Sequence, residues 1–179
     1  MTNLKGYEEN LYTQYSIRTS SGIYVDFVNP RKEMFCIEDI AHALSQLPRF
    51  GGHLPYWYSV ADHCISCARK AEQDGETKGN IFACLMHDCS EAYLLDLPSP
   101  IKKLIPGYIV IEDRILRLLS EIFGFHYGLD GFGSYVKSVD KYKLEVEWDY
   151  FIGLHTQDYI RNPKTSEKIF LEAYEKYRH

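Results

Sequence analysis

Apolar residues recur at two different periods along this chain of 179 residues. Residues 15 to 27, YSIRTSSGIYVDF, hold two short runs rich in β-branched and aromatic side chains around Ser21-Gly22, the pattern of a hairpin. Everything after it keeps a helical period. Ile37, Ile40, Ala41 and Leu44 lie on one helix face, and that helix must stop near Pro48 because proline disfavours a helical residue before it. A loop rich in glycine and aromatics, RFGGHLPYWY, follows. Ser59 with Asp62 three residues on is a capping-box pattern, and Val60, His63, Cys64, Cys67, Ala68 and Ala71 make one inward stripe to about residue 73. From Ile81 to about Leu95, IFACLMHDCSEAYLL is apolar almost all round before His87, which predicts the central helix of the domain; Asp96-Leu97-Pro98-Ser99-Pro100 ends it. Further helices are expected over about 108 to 123 (Ile111, Ile115, Leu118, Ile122) and 134 to 154 (Val136, Val139, Leu144, Trp148, Phe151), and a last one from near Ser166. That last helix carries Phe170, Ala173, Tyr174 and Tyr177 on one side, to pack on its own domain or on a neighbouring subunit. The expected fold is therefore all-α with a small N-terminal β-hairpin. No repeat, low-complexity tract or linker divides the chain, so residues 1–179 read as one domain.

Composition narrows the function classes. With 45% hydrophobic residues at this length, a sizeable core needs no disulfide or metal staple, and disorder is excluded. The 20 basic and 25 acidic side chains leave a formal charge of −5 with no basic cluster, which argues against a nucleic-acid polymer as partner while leaving small anionic substrates open. The 15 tyrosines and 9 phenylalanines are not interleaved with basic residues as a single-strand platform requires. No run of about 18 apolar residues occurs, and MTNLKGYEEN lacks the order of a secretory signal, so no membrane partner and a cytoplasmic location are expected. Five cysteines, an odd number, are expected as free thiols. Cys64 and Cys67 form a C-x-x-C that with Cys84 and Cys89 suggests zinc or redox chemistry, but the core stripe already claims that helix, and buried free cysteine behaves as a small hydrophobe.

The chemistry concentrates around His87 and Asp88, in the most hydrophobic segment. An ionised carboxylate there costs several kcal/mol unless a cation or hydrogen bonds compensate. Helical spacing places Glu91 at i+4 from His87 and i+3 from Asp88. An isolated His-Asp pair reads more readily as a buried structural pair. Two more residues alter the balance: His63 faces inward on the preceding helix, and Asp140 shares a helical face with Val136, Lys143, Leu144 and Glu147. Two imidazoles and two carboxylates from three inward faces can converge on one divalent metal and leave positions open for water and substrate. His53 sits in the glycine-bearing loop and reads as a loop residue close to the proposed site; His42, His126 and His155 lack a partner at ligand spacing and read as surface.

The order His63, then His87-Asp88, then Asp140 resembles the H…HD…D signature of HD-domain metal-dependent phosphohydrolases. HDCSEAYLLDLPSPIK, residues 87 to 102, is similar to the H-D-x-S-E and D-L-P-[ST]-P-[IVL]-K segment of the 5′-deoxynucleotidase branch. DIAHALSQLPRFGGHLPYWYSVADH, residues 39 to 63, resembles the matching part of small phage HD proteins that hydrolyse dATP. The resemblance, over about residues 16 to 150, implies an HD-domain helical fold with His63, His87, Asp88 and Asp140 as ligands of one divalent ion. Mn²⁺, Co²⁺, Fe²⁺, Ni²⁺, Zn²⁺ and Mg²⁺ all suit such a set. It further implies that Glu91 orients or deprotonates the attacking water, that Asp96 assists near the leaving group, and that Arg49 binds phosphate. Lys102 and Lys137 are additional phosphate-binding candidates, and Phe50, then Trp57, are candidates to stack on the base. The implied activity is hydrolysis of deoxynucleotides at the α-phosphorus, dATP to deoxyadenosine and triphosphate first, by a homo-oligomer. A deoxynucleoside 5′-monophosphatase is the nearest alternative; a signalling-nucleotide hydrolase and a non-catalytic, metal-stabilised helical module follow.

Overall fold

The structure, a computed structural model, describes residues 12–151, 153 and 162–178. It is mostly helical with one two-stranded antiparallel hairpin, β1 (Ser16–Arg18) and β2 (Tyr24–Asp26), in which Ile17 faces Val25. Gly22, at φ 94°, closes the turn in a conformation that other residues reach only with strain. The turn is tied down by a buried carboxylate: Asp39, in the first turn of α1 (Ile37–Gln46), accepts from the Ser20 hydroxyl at 2.7 Å, the Ser21 hydroxyl at 2.7 Å and the Ser21 amide at 2.8 Å. Burial alone would raise the Asp39 pKa, but these bonds win and hold it at about 2. A depressed carboxylate stabilises the fold above its unfolded pKa and loses that contribution as pH falls through the folded value. Urea unfolding of the native chain is therefore expected to show an acid-side loss of up to about 2 kcal/mol between roughly pH 4 and pH 2 that Asp39→Asn lacks, and an unchanged acid limb in that variant would overturn this anchor.

α1 buries Ile40, Ala41 and Leu44 as its period predicts, and Leu47 turns extended before Pro48. α2 (Val60–Gln73) starts at the Ser59 and Asp62 capping box, both halves of which are formed. α3 follows at Lys78–Met86, α4 at Glu91–Leu94, α5 at Ser99–Lys102, α6 at Pro106–Phe123, α7 at Ser134–Phe151 and α8 at Pro163–Tyr177. α2 and α3 pack on each other, and α8 lies across α1, α2 and α3, so its apolar side with Phe170, Tyr174 and Tyr177 is covered by its own chain. All five cysteines are unpaired, four of them buried. No helix among the described residues is long and apolar enough to cross a membrane.

Several boundaries differ from the periodicity. The expected continuous helix from Ile81 to Leu95 is broken after Met86, and residues 87 to 90 form tight turns with Cys89 N bonded to the Met86 carbonyl and Glu91 N to the Asp88 carbonyl. Polar side chains compete with the helical ladder here: His87 Nδ1 lies 2.8 Å from the Cys84 carbonyl, taking up an acceptor at the end of α3. Hydropathy does not register such competition. α6 and α8 begin earlier than expected, at Pro106 and Pro163, because proline at the first helical position sacrifices no bond; Asn162 also caps α8 through Thr165 N. α7 ends at Phe151, and Gly153 beyond it has φ 79°.

Candidate metal centre

The break after α3 turns His87 and Asp88 toward α2 and α7. His63 Nε2 lies 3.2 Å from His87 Nε2, 3.1 Å from Asp140 Oδ1 and 3.7 Å from Asp88 Oδ2; His87 Nε2 lies 3.1 Å from Asp88 Oδ2 and 3.7 Å from Asp140 Oδ1. The far nitrogens define the tautomers. His63 Nδ1 is 2.6 Å from a Glu147 oxygen and His87 Nδ1 is 2.8 Å from the Cys84 carbonyl, so each Nδ1 carries a proton and each Nε2 can offer a lone pair to a bound cation. Two imidazole lone pairs and two carboxylate oxygens thus converge with no donor among them, an arrangement that repels itself unless a cation or added protons fill it. Bonds of about 2.1 Å to one ion set neighbouring donor atoms roughly 3.0–3.4 Å apart, close to the spacing found. The cluster fits a divalent metal on its donor chemistry as well as its geometry. Cys67 Sγ also reaches His63 Nε2, at 3.6 Å, and both Cys67 and Cys64 belong to groupings in this cluster with ligand atoms mutually within 4.8 Å.

Glu147, which the sequence reading placed on the Asp140 face but gave no role, holds the surroundings together. Seven residues along α7 from Asp140, it is two helical turns away on the same side. Its Oε1 accepts from His63 Nδ1 and from Tyr58 OH at 2.9 Å, and its Oε2 accepts from Arg49 Nη2 at 2.9 Å. Burial opposes its charge, yet His63 and Arg49 keep its pKa near 2. One carboxylate therefore orients a metal-binding imidazole and a buried guanidinium together. Arg49 Nη1 also lies 3.9 Å from both Asp88 and Asp96, and these anions keep it charged despite burial.

No family model matches the chain. It is 41% identical over 110 residues to the uncharacterized protein YfdR of Escherichia coli K12, an alignment covering 60% of this chain and 58% of that one. It is also 33% identical over 112 residues to an uncharacterized protein of Rhodobacter capsulatus, covering 60% of this chain and 57% of the relative. The chain thus spans less than three fifths of the length of these curated relatives.

A pocket of about 680 Å³ opens beside the centre, a size suited to a small organic ligand. Arg49, Phe50, Asp88, Glu91, Asp96, Lys102 and Asp140 line it, so most of the expected site residues share one cavity. Glu91 is buried, with Oε1 bonded to Lys102 Nζ at 3.1 Å and Oε2 without a partner. Burial raises its pKa, and the charges of Asp88 and Asp96 raise it further against the opposing pull of Lys102. Asp96 is raised by burial too, with Arg49 working against it. Lys102 is itself held by Glu112 at 2.9 Å, a partner that sequence spacing does not reveal.

Phe50 takes a left-handed backbone, φ 55° and ψ 31°, a strained choice for a residue with a side chain. Its ring lies parallel to Phe151 at 5.5 Å between centroids and 6.3 Å from Trp148, whose indole is half-exposed along the pocket. Trp148 was expected only as a core position. Two expected contacts are not brought to the cavity. Trp57 lines a separate recess of about 310 Å³ behind Arg49, and Lys137 Nζ bonds the Asp130 carbonyl at 3.0 Å. The Arg49–Tyr58 backbone bond and the Pro48–Ser59 bridge close the intervening loop that carries Trp57 into this recess. His53 and His126 are exposed; His42 lies 3.2 Å from Glu167; His155 falls outside the described residues.

Proposed function

We propose that this chain is an HD-type, metal-dependent phosphohydrolase that cleaves deoxynucleotides at the α-phosphorus, dATP first. The observation that carries the reading is the convergence of His63, His87, Asp88 and Asp140, the two aspartates lining a pocket that also holds an arginine and a buried carboxylate oxygen with no partner. A divalent cation, when bound there, makes water more acidic and offsets charge on phosphoryl oxygens. The remaining work belongs to the side chains. Arg49, fixed by Glu147, presents donors to the phosphate oxygens, and Lys102, which lines the same pocket, adds positive charge. Glu91 Oε2 is placed to orient or deprotonate the attacking water, and Asp96, 3.9 Å from Arg49 Nη1, is placed to assist near the departing oxygen. Phe50 and Trp148 supply aromatic surface for the base, while Glu145 and Asp149 on the same rim suit an amino-bearing base such as adenine. The free thiols support a cytoplasmic enzyme, and a homo-oligomer belongs to the same reading.

The test is a product assay on metal-stripped protein with Mn²⁺, Co²⁺, Mg²⁺ or Zn²⁺ restored in turn, against deoxynucleotides and ribonucleotides as mono-, di- and triphosphates. Deoxyadenosine plus triphosphate is the expected result with dATP. Phosphate from monophosphates alone would move the chain to the 5′-nucleotidase reading, and silence across the panel would overturn both. Glu91→Ala is expected to keep its metal and lose turnover by about 10² or more, the contribution of a positioned acid or base. Normal kcat in that variant would make Glu91 structural.

A further inference from the structure

The cluster has a second side, built of sulfur. Cys67 follows His63 by four residues and therefore lies on the same face of α2, while Cys64 lies next to it. Both thiols are fully buried, and neither lines the pocket. One ligand atom each of Cys67, His63 and His87 lie mutually within 4.8 Å, as do those of Cys64, His87 and Asp88. The Cys67 to His63 distance of 3.6 Å matches the roughly 3.6 Å edge of a tetrahedron with metal–sulfur and metal–nitrogen bonds of about 2.3 and 2.0–2.1 Å. The two imidazoles are thus shared between an outer face of carboxylate oxygens, open to the pocket, and an inner face of thiols, closed to it.

We infer that Cys67, with His63 and His87, forms an alternative coordination face that takes soft cations of the Zn²⁺, Cd²⁺ or Cu⁺ class and draws them away from the pocket. This rests on the reading of His63 and His87 as metal donors given above. Carboxylate oxygen suits hard ions such as Mn²⁺ and Mg²⁺, whereas thiolate selects softer ones, so the donor set sorts cations by side. Binding on the inner face exchanges the Cys67 S–H bond for a metal–sulfur bond, and the proton leaves to water. An ion held there has withdrawn from the side on which Asp140 and the substrate pocket lie. Soft cations would then occupy the centre without supporting turnover.

Metal-stripped protein titrated with Cd²⁺ alone, followed by the ultraviolet sulfur-to-cadmium charge-transfer band, tests this directly. A parallel Mn²⁺ titration, followed by loss of the free-ion electron paramagnetic resonance signal, reports the oxygen face. The native chain is expected to show the band and to bind Mn²⁺. Cys67→Ser and Cys67→Ala should each lose the band, weaken Cd²⁺ binding by at least about tenfold, in the range found for loss of contacts even one shell further out, and retain native Mn²⁺ affinity. Cys64→Ser should keep the band. A native protein that binds Mn²⁺ but gives no cadmium–sulfur band would overturn the inference alone, as would an undiminished band in either Cys67 variant. Failure to bind either ion would remove the metal reading itself.

Discussion

Asp88→Ala is expected to bind no stoichiometric divalent metal and to lose essentially all of the proposed phosphohydrolase activity. Asp88 Oδ2 is 3.1 Å from His87 Nε2 and 3.7 Å from His63 Nε2, so it supplies one corner of the donor set, and it lies in a pocket wall where substrate would approach. Its pKa is depressed although burial opposes this, since His87, His63 and Arg49 all favour the anion. Removing it strips a negative ligand from a centre whose two imidazoles alone hold a cation weakly. A metal ion's electrostatic contribution to phosphoryl transfer is several kcal/mol, and at about 1.4 kcal/mol per decade its loss slows turnover by about 10³ or more. Metal analysis by mass spectrometry, beside the dATP product assay, checks both halves. Retention of one metal per chain at native activity would end the assignment.

Glu147→Ala should damage stability and chemistry together. It leaves His63 Nδ1, Arg49 Nη2 and Tyr58 OH without the carboxylate that accepts from all three, in a buried setting. Breaking a buried ion pair by removing one partner costs about 3–5 kcal/mol, and the low end is expected because Asp88 and Asp96 still lie 3.9 Å from Arg49. Glu147→Gln keeps the shape but not the charge, so His63 is no longer held firmly in the Nδ1–H form. Metal affinity should fall by about 10–100-fold, the usual cost of losing a partner behind a histidine ligand. Urea unfolding of the alanine variant and Mn²⁺ calorimetry of the glutamine variant measure the two effects separately. Native values in both would reduce Glu147 to a bystander.

Sequence periodicity recovered the hairpin, the capping box at Ser59 and the inward stripe of α2, because each depends on neighbours within a few positions. The ligand candidates were readable for a related reason: a histidine or carboxylate on an apolar helix face is conspicuous. The turn at residues 87 to 90 was not readable, since it depends on side-chain hydrogen bonds that hydropathy does not register. Glu147 shows the other limit. Its seven-residue spacing from Asp140 was visible, but its three partners come from positions 49, 58 and 63, and nothing local connects them. The same holds for Glu112 and Lys102, and for Phe50, whose stacking partners lie about a hundred residues away on α7.

Only Val136, Val139 and Glu147 of α7 are buried, a narrow seam for a helix of 18 residues. Asp140 and Glu147 add polar ties from this helix to His63 and Arg49. A cation held by His63, His87, Asp88 and Asp140 would act as a cross-link between chain positions 77 residues apart, closing a long loop much as a covalent bridge does. Unlike a covalent bridge, its strength follows the supply of free ion, rising as RT ln(1 + [M]/Kd). Ion homeostasis would then govern how much folded protein persists against proteolysis as well as how fast each molecule works, and scarcity would remove the helix and the activity in one step.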